Sequence, residues 1–259
     1  MPIGLIYSIV IFFACVVGAI AGLGGGVFIR PVFDAIGHHD VLNIGFFASL
    51  AIFTMAIVST AKKIQGGAVI HAKTALVISL GAIIGGILGN LLLEHLLTLL
   101  QAAAVQRIQT AATLLVLILA LFLSTKTGLH FPIKIKAAIP VLGVLLGITA
   151  AFLGIGGGPI GVPFFMIFFG LSIKDATTYS IIVIFFSHLA RLLTLGVTVG
   201  YQHFDLALLP YVIIAAALGG LMGAKLSTAF SEKTVKRLFQ GSLATVVVLN
   251  ITNALFLLN

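Results

Sequence analysis

Two glycine clusters interrupt otherwise apolar sequence. Gly22-Leu23-Gly24-Gly25-Gly26 is followed by Pro31, and Gly154-Ile155-Gly156-Gly157-Gly158 by Pro163. Each glycine costs a helix about 1 kcal/mol and leaves backbone N–H groups bare. In hydrocarbon an unpaired backbone group costs several kcal/mol, so such a break survives only inside protein or beside a cavity. Amides at a helix start form a concave anion nest, which the helix dipole reinforces. Gly24, Gly25 and Gly26 precede one short apolar segment. Gly156, Gly157 and Gly158 precede another, opened by Pro159, which suits a first helical turn. Two such ends pointing at each other would bind a small oxyanion near the bilayer midplane. The plainer alternative is that the glycines only permit a tight hairpin.

Charged side chains within apolar segments are the next candidates. Arg30 and Asp34 are four apart and share a helix face. They make either a structural ion pair or a substrate-facing arginine with a carboxylate for proton coupling. His188 and Arg191 also share a face, with Ser187 beside them. Arginine can clamp an oxyanion with two donors, and histidine titrates near neutral pH. The alternative is an arginine that snorkels outward beside a packing histidine. The second-half equivalent of Arg30 would be Val162, and the first-half equivalents of His188 and Arg191 fall near Thr54 and Ile57. Both charged groups are therefore additions to one half. Asn43, Ser49, Thr54, Thr178 and Tyr179 are candidate pathway-lining residues. His38, His39 and Asp40 are only a weak metal signal, and His71, His95, His130 and His203 fall near segment ends. No metal or other cofactor is expected.

Composition defines the setting. Hydrophobic residues are 61% of the chain and charged residues 8%, against about 25% charged in soluble domains. An integral membrane protein follows, with no room for a soluble domain. No Gly-x-x-x-x-Gly-Lys-Ser/Thr loop is present, which excludes ATP hydrolysis by that route. Cys15 is the single cysteine and cannot form an internal disulfide. The segment from Ile3 to Ala21 lacks a basic flank and reads as part of the fold rather than a signal peptide. The net charge of +8 is spread singly between apolar segments, which suits membrane orientation rather than nucleic-acid binding.

The apolar segments are 3–21, 27–37, 42–61, 68–93, 102–123, 137–153, 159–172, 176–199, 206–230 and 238–258. A full crossing needs about 20 residues, so 27–37 and 159–172 must pair with the segments before them. Gly85-Gly86-Ile87-Leu88-Gly89 matches Gly219-Gly220-Leu221-Met222-Gly223, whose spacing permits close helix contact. Val105-Gln106-Arg107-Ile108 resembles Val235-Lys236-Arg237-Leu238. The expected fold is an all-α polytopic membrane protein of two inverted repeats, 1–130 and 131–259. Each repeat is a glycine-tipped broken or re-entrant helix hairpin plus three transmembrane spans. If each hairpin returns to its own side, Lys62, Lys63, Lys73, Lys126, Lys134, Lys136, Lys174, Lys225, Lys233, Lys236 and Arg237 share one face. Arg30, Arg107 and Arg191 remain elsewhere. That asymmetry marks a cytoplasmic face and puts both termini outside.

The doubled motif with its two prolines, and the Gly-Gly-x-x-Gly stretch in each half, resemble the TauE/SafE family of membrane permeases over essentially the whole chain. The resemblance implies secondary transport of small anions such as sulfite, sulfoacetate and related sulfur-containing organic acids. The first motif continues Val27-Phe28-Ile29-Arg30 where the second has Pro159-Ile160-Gly161-Val162, so the halves are not interchangeable. The expected mechanism is alternating access in the cell membrane, with an anion as substrate and the lipid bilayer as surroundings. A homodimer is one assembly open to such a carrier. The rival readings are an anion channel and an intramembrane enzyme; the second would need a polar catalytic cluster that the sequence does not offer.

Overall fold

A computed structural model describes residues 3–67, 72–125 and 138–256. Lys126, Lys134, Lys136, His71, His130 and the repeat boundary at 130 lie outside the described residues. The described chain forms ten α-helices: α1 (Ile3–Ala21), α2 (Gly26–Ile36), α3 (Val41–Gln65), α4 (Ala72–Leu99), α5 (Ala102–Thr125), α6 (Ala138–Leu153), α7 (Gly158–Phe169), α8 (Ile173–Thr198), α9 (Leu209–Ala229) and α10 (Glu232–Phe256). Two 3-10 turns, Tyr201–His203 and Leu206–Leu208, connect α8 to α9. Among the described residues, six helices are long and apolar enough to cross a bilayer: α1, α3, α4, α5, α8, and α9 with the turn before it. Helix α10 is of similar length but carries Glu232, Lys233, Lys236 and Arg237 in its first two turns. Helix α4 continues to Leu99, beyond the expected end at 93, so Glu94 and His95 are helical.

The glycine clusters terminate α1 and α6 and start α2 and α7. Gly22 and Gly24 have φ of 71° and 72°, and Gly154 and Gly156 have 66° and 79°. Residues with a Cβ avoid that region, so both loops require glycine at these positions. Gly37 and Gly170 end the short helices, again with positive φ (65° and 62°). Helix α3 starts on Asp40, which accepts from Asn43 N, and α8 on Ser172, which accepts from Asp175 N. These caps are 132 residues apart, the same spacing as the glycine clusters. On that spacing the positions matching His188 and Arg191 are Ala56 and Ser59, two residues from the Thr54 and Ile57 of the sequence reading. The cause is a boundary offset of two residues in the sequence reading.

The most extensive helix contacts run across the halves. Helix α1 lies against α9, and α6 against α4. A methyl group at Gly219 would stand 2.6 Å from Phe12 O, and one at Gly89 2.6 Å from Ile148 O. Gly85 and Gly223 are closer still to Val144 O and Val16 O. These glycines let backbones touch where dispersion and packing, rather than water exclusion, hold helices together. Gly219→Ala should therefore destabilise the protein by about 1–3 kcal/mol through overpacking. Gly241→Ala in α10, where nothing lies within 4 Å of the added methyl, should stabilise it by up to about 1 kcal/mol. Melting of the detergent-purified variants measures both, and equal shifts would contradict the packing account.

Candidate functional site

The two glycine loops meet each other. A Cβ on Gly26 would be 2.7 Å from Gly154 O, and one on Gly158 would strike Gly22 O and Leu23. One stripe of α8 and one of α3 face them at intervals of seven residues, two helical turns. On α8, Thr177 packs on Gly22, with 2.6 Å between its Cα and a Cβ placed there. Ile184 reaches both Gly24 and Gly156, and Arg191 reaches Gly154. On α3, Gly45 faces Arg191 and Ile52 faces Gly24 and Gly26. Ser180 Oγ donates to Gly22 O at 2.8 Å and fixes the first loop. Where the loops are closest, backbone and the Ile52 and Ile184 side chains fill the space.

Arg30 and Arg191 converge on Gly154. A methyl there would lie 2.7 Å from Arg30 Nη1 and 3.1 Å from Arg191 Nη1, and one on Gly45 would lie 2.5 Å from Arg191 Nη2. Only glycine leaves room for both guanidinium groups. The two arginines are bonded very differently. Arg30 is 4% exposed. Its Nη1 donates to Leu153 O at 2.7 Å, its Nη2 donates to Gln109 Oε1, and its Nε lies 3.8 Å from Asp34 Oδ2. Gln109 Nε2 donates to Phe152 O at 2.6 Å. Arg30 and Gln109 thus cap the carbonyl end of α6, where backbone acceptors have no partner within the helix and the dipole favours positive charge.

Arg191 is fully buried, and none of its three guanidinium nitrogens has a hydrogen-bond partner. It does not snorkel. Arg30 and Glu94 act on it electrostatically, but Glu94 Oε1 is held by Thr198 Oγ1 at 2.7 Å and by Asn90. Arg30 pairs with Asp34 and His39 with Asp205. His188, also fully buried, has both ring nitrogens unpartnered. Asp34 pairs with Arg30 and Glu94 is bonded to Thr198 and Asn90, so Arg191 stands without a hydrogen-bonded counter-ion. A buried charge without a hydrogen-bonded partner costs several kcal/mol.

The other predicted residues are dispersed. Ser187 Oγ donates to Ile184 O, and its backbone faces Gly86 of α4. Ser49 Oγ donates to Gly45 O. Thr54 is half-buried, and Tyr179 packs its ring against Phe165. Gly25 and Gly157 are the caps of α2 and α7. Thr178 lines a cavity with Lys63. Asn43 lies at the Arg191 end of the molecule, where its Oδ1 accepts from Asp205 N. There Tyr7 Oη and His39 Nδ1 are 2.8 Å apart, His39 Nε2 is 3.8 Å from Asp205, and Phe46 stacks on Phe204 at 4.3 Å. Partial burial and the neighbouring His38 hold the His39 imidazole below its usual range, against the opposing pull of Asp205. Among the described residues no cluster of His, Cys, Asp and Glu is suited to a metal. Gln109, Gly45 and Lys63 were not anticipated. A glutamine inside an apolar segment, and a glycine seven residues before Ile52, were the available signals.

Gln109→Ala would leave Phe152 O and one Arg30 donor unpaired. It should lower stability by about 1–3 kcal/mol, read as a lower melting temperature of the purified protein.

Comparison with known proteins agrees with a membrane carrier. A probable membrane transporter protein, MamO of Magnetospirillum gryphiswaldense, is 26% identical over 117 residues, which are 43% of this chain and 18% of that protein. This chain therefore spans less than a fifth of that relative's length. No solved structure matches. The family described as sulfite exporter TauE/SafE matches residues 7–250. The glycine loops and the helices they join lie within that span, and the chain belongs to the TauE/SafE family of membrane transporters.

Proposed function

We propose that this protein is a secondary transporter of a small sulfur oxyanion, with sulfite, sulfoacetate or a related organic sulfonate as substrate. The observation that carries the reading is Arg191, fully buried with every guanidinium nitrogen unpartnered, beside a second arginine. A sulfite or sulfonate group would accept two N–H bonds from Arg191 and offset its charge. Arg30 adds field while it caps α6, and His188 supplies a further polar group four residues from Ile184. Asp34 can take up a proton only by weakening its pairing with Arg30, which makes it the candidate for proton coupling.

In this reading the halves are inverted repeats that rock around the joined glycine loops. The layer of Tyr7, His39, Phe46, Phe204 and Asp205 is the gate at the Arg191 end. Orientation follows from the opposite end, where Lys63 meets Thr177 and Lys174 meets Thr228. These contacts bring the ends of α3 and α9 to the start of α8, and Lys62, Lys63, Lys174 and Lys225 with them. We assign that end to the cytoplasm and both termini to the outside of the cell membrane. The family relationship supports carriage rather than catalysis.

Uptake of labelled sulfite, sulfoacetate and sulfate into proteoliposomes, with and without a proton gradient, tests the function. Saturable flux of at least one of the first two is expected; non-saturating conductance would mean a channel. The arginines should separate in a second measurement. Arg191→Met should abolish uptake and raise the ligand-free melting temperature, because it removes an unpaired buried charge. Arg30→Met should lower the melting temperature, because it leaves Leu153 O and Gln109 without their partner. A lower melting temperature for Arg191→Met would overturn the assignment of Arg191 to the substrate.

A further inference from the structure

The end of the molecule away from Arg191 holds a second basic cavity. It encloses about 190 Å³ between the end of α3, the start of α8 and the end of α9. Lys63, Lys174, Thr178 and Ser227 are among its lining residues, with Asp175 as the one acidic group. Lys63 is 3% exposed, although lysine is almost never so buried without a paired charge. Thr177 Oγ1 takes one of its three donors at 3.1 Å. The carboxylate in the cavity does not pair with it: Asp175 Oδ2 accepts from Ser172 Oγ at 2.8 Å. Lys174 Nζ donates to Thr228 O at 3.2 Å, which holds a second cation at the rim.

The position of this cation matters as much as its burial. Thr177, which Lys63 contacts, packs on Gly22 of the first glycine loop. Arg191 stands in the corresponding relation to Gly154 of the second loop. Thr177 and Arg191 are fourteen residues apart on one stripe of α8, about 21 Å along the axis. Ile184 lies halfway, against Ile52 and both loops. Arg191 thus lies against one glycine loop and Lys63, through Thr177, beside the other, with Ile52 and Ile184 between them.

We propose that the Lys63 cavity is a second anion station, where Lys63 and Lys174 hold the oxyanion on the other side of Ile52 and Ile184 from Arg191. The inference rests on the anion-transport reading and adds a residue pair to it. Two stations on opposite sides of these isoleucines explain how an anion leaves a pocket as basic as that of Arg191: a competing cation waits about four helical turns away.

The test does not depend on transport. Thr228 is exposed at the rim of the cavity, so Thr228→Cys in a Cys15→Ala background serves as reporter. Its rates of modification by an anionic sulfonatoethyl and a cationic trimethylammonioethyl methanethiosulfonate reagent are compared. The anionic reagent should be favoured over its rate with a free thiol, and sulfoacetate should slow it saturably. Lys63→Gln should reduce the anion preference at least about threefold and remove the protection, whereas Lys63→Arg should keep both. Lys174→Gln serves as a second charge removal if Lys63→Gln folds poorly. A preference unchanged by both neutral substitutions overturns the station. A Lys63-dependent preference in a protein that moves neither sulfite nor sulfoacetate would leave the station standing and refute the substrate assignment.

Discussion

The structure depends on a positive charge that the protein does not neutralise. Around Gly154 it brings two guanidinium groups within reach of one backbone site; Asp34 pairs with Arg30, and Glu94 acts on Arg191 only from a distance, held by Thr198 and Asn90. A buried ion is tolerable when hydrogen bonds and a counter-ion replace water. Arg30 meets that condition through α6, Gln109 and Asp34, and Arg191 does not. The ligand-free protein therefore carries an electrostatic cost at one defined place. In the proposed function an anion of the right size would relieve it, and a neutral molecule of the same shape would not.

The glycine loops make that arrangement geometrically possible. Their left-handed residues let α1 and α6 end inside the protein with their last carbonyls exposed, and those of α6 attract Arg30 and Gln109. Their lack of side chains lets the loops touch each other and lets two arginines flank one of them. The helix starts after the loops are less open than an anion nest would be, because backbone and isoleucine fill the point of closest approach. Positive potential in the site comes chiefly from side chains, and the loops act as spacers and as the joint.

Much of this was legible in the sequence, for identifiable reasons. Helix positions followed from apolar run length, and the paired breaks at 22–26 and 154–158 announced where the chain turns inside the membrane. Arg30 with Asp34 was readable because helical neighbours four apart must meet. The convergence of Arg30 on Arg191 was not, because it spans the halves and depends on how α2 leans on the end of α6. Gln109 was overlooked for the same reason: its partners are Arg30 and a carbonyl of α6, contacts between distant elements that leave no trace in residue types. The seven-residue stripes Gly45–Ile52 and Thr177–Ile184–Arg191 were present in the sequence. They gain meaning only once both are known to face the same pair of loops.

The exchange of partners between α1 with α9 and α6 with α4 has a consequence for biogenesis. The small-residue face of α1 is met by glycines encoded about two hundred positions later, and α4 must wait for α6 to leave the translocon. Native contacts of such long range form late. During synthesis the early helices must persist in lipid with their closest-fitting surfaces uncovered. The first half has no finished fold to adopt until α9 has been made, so insertion machinery must tolerate a loosely gathered intermediate until then.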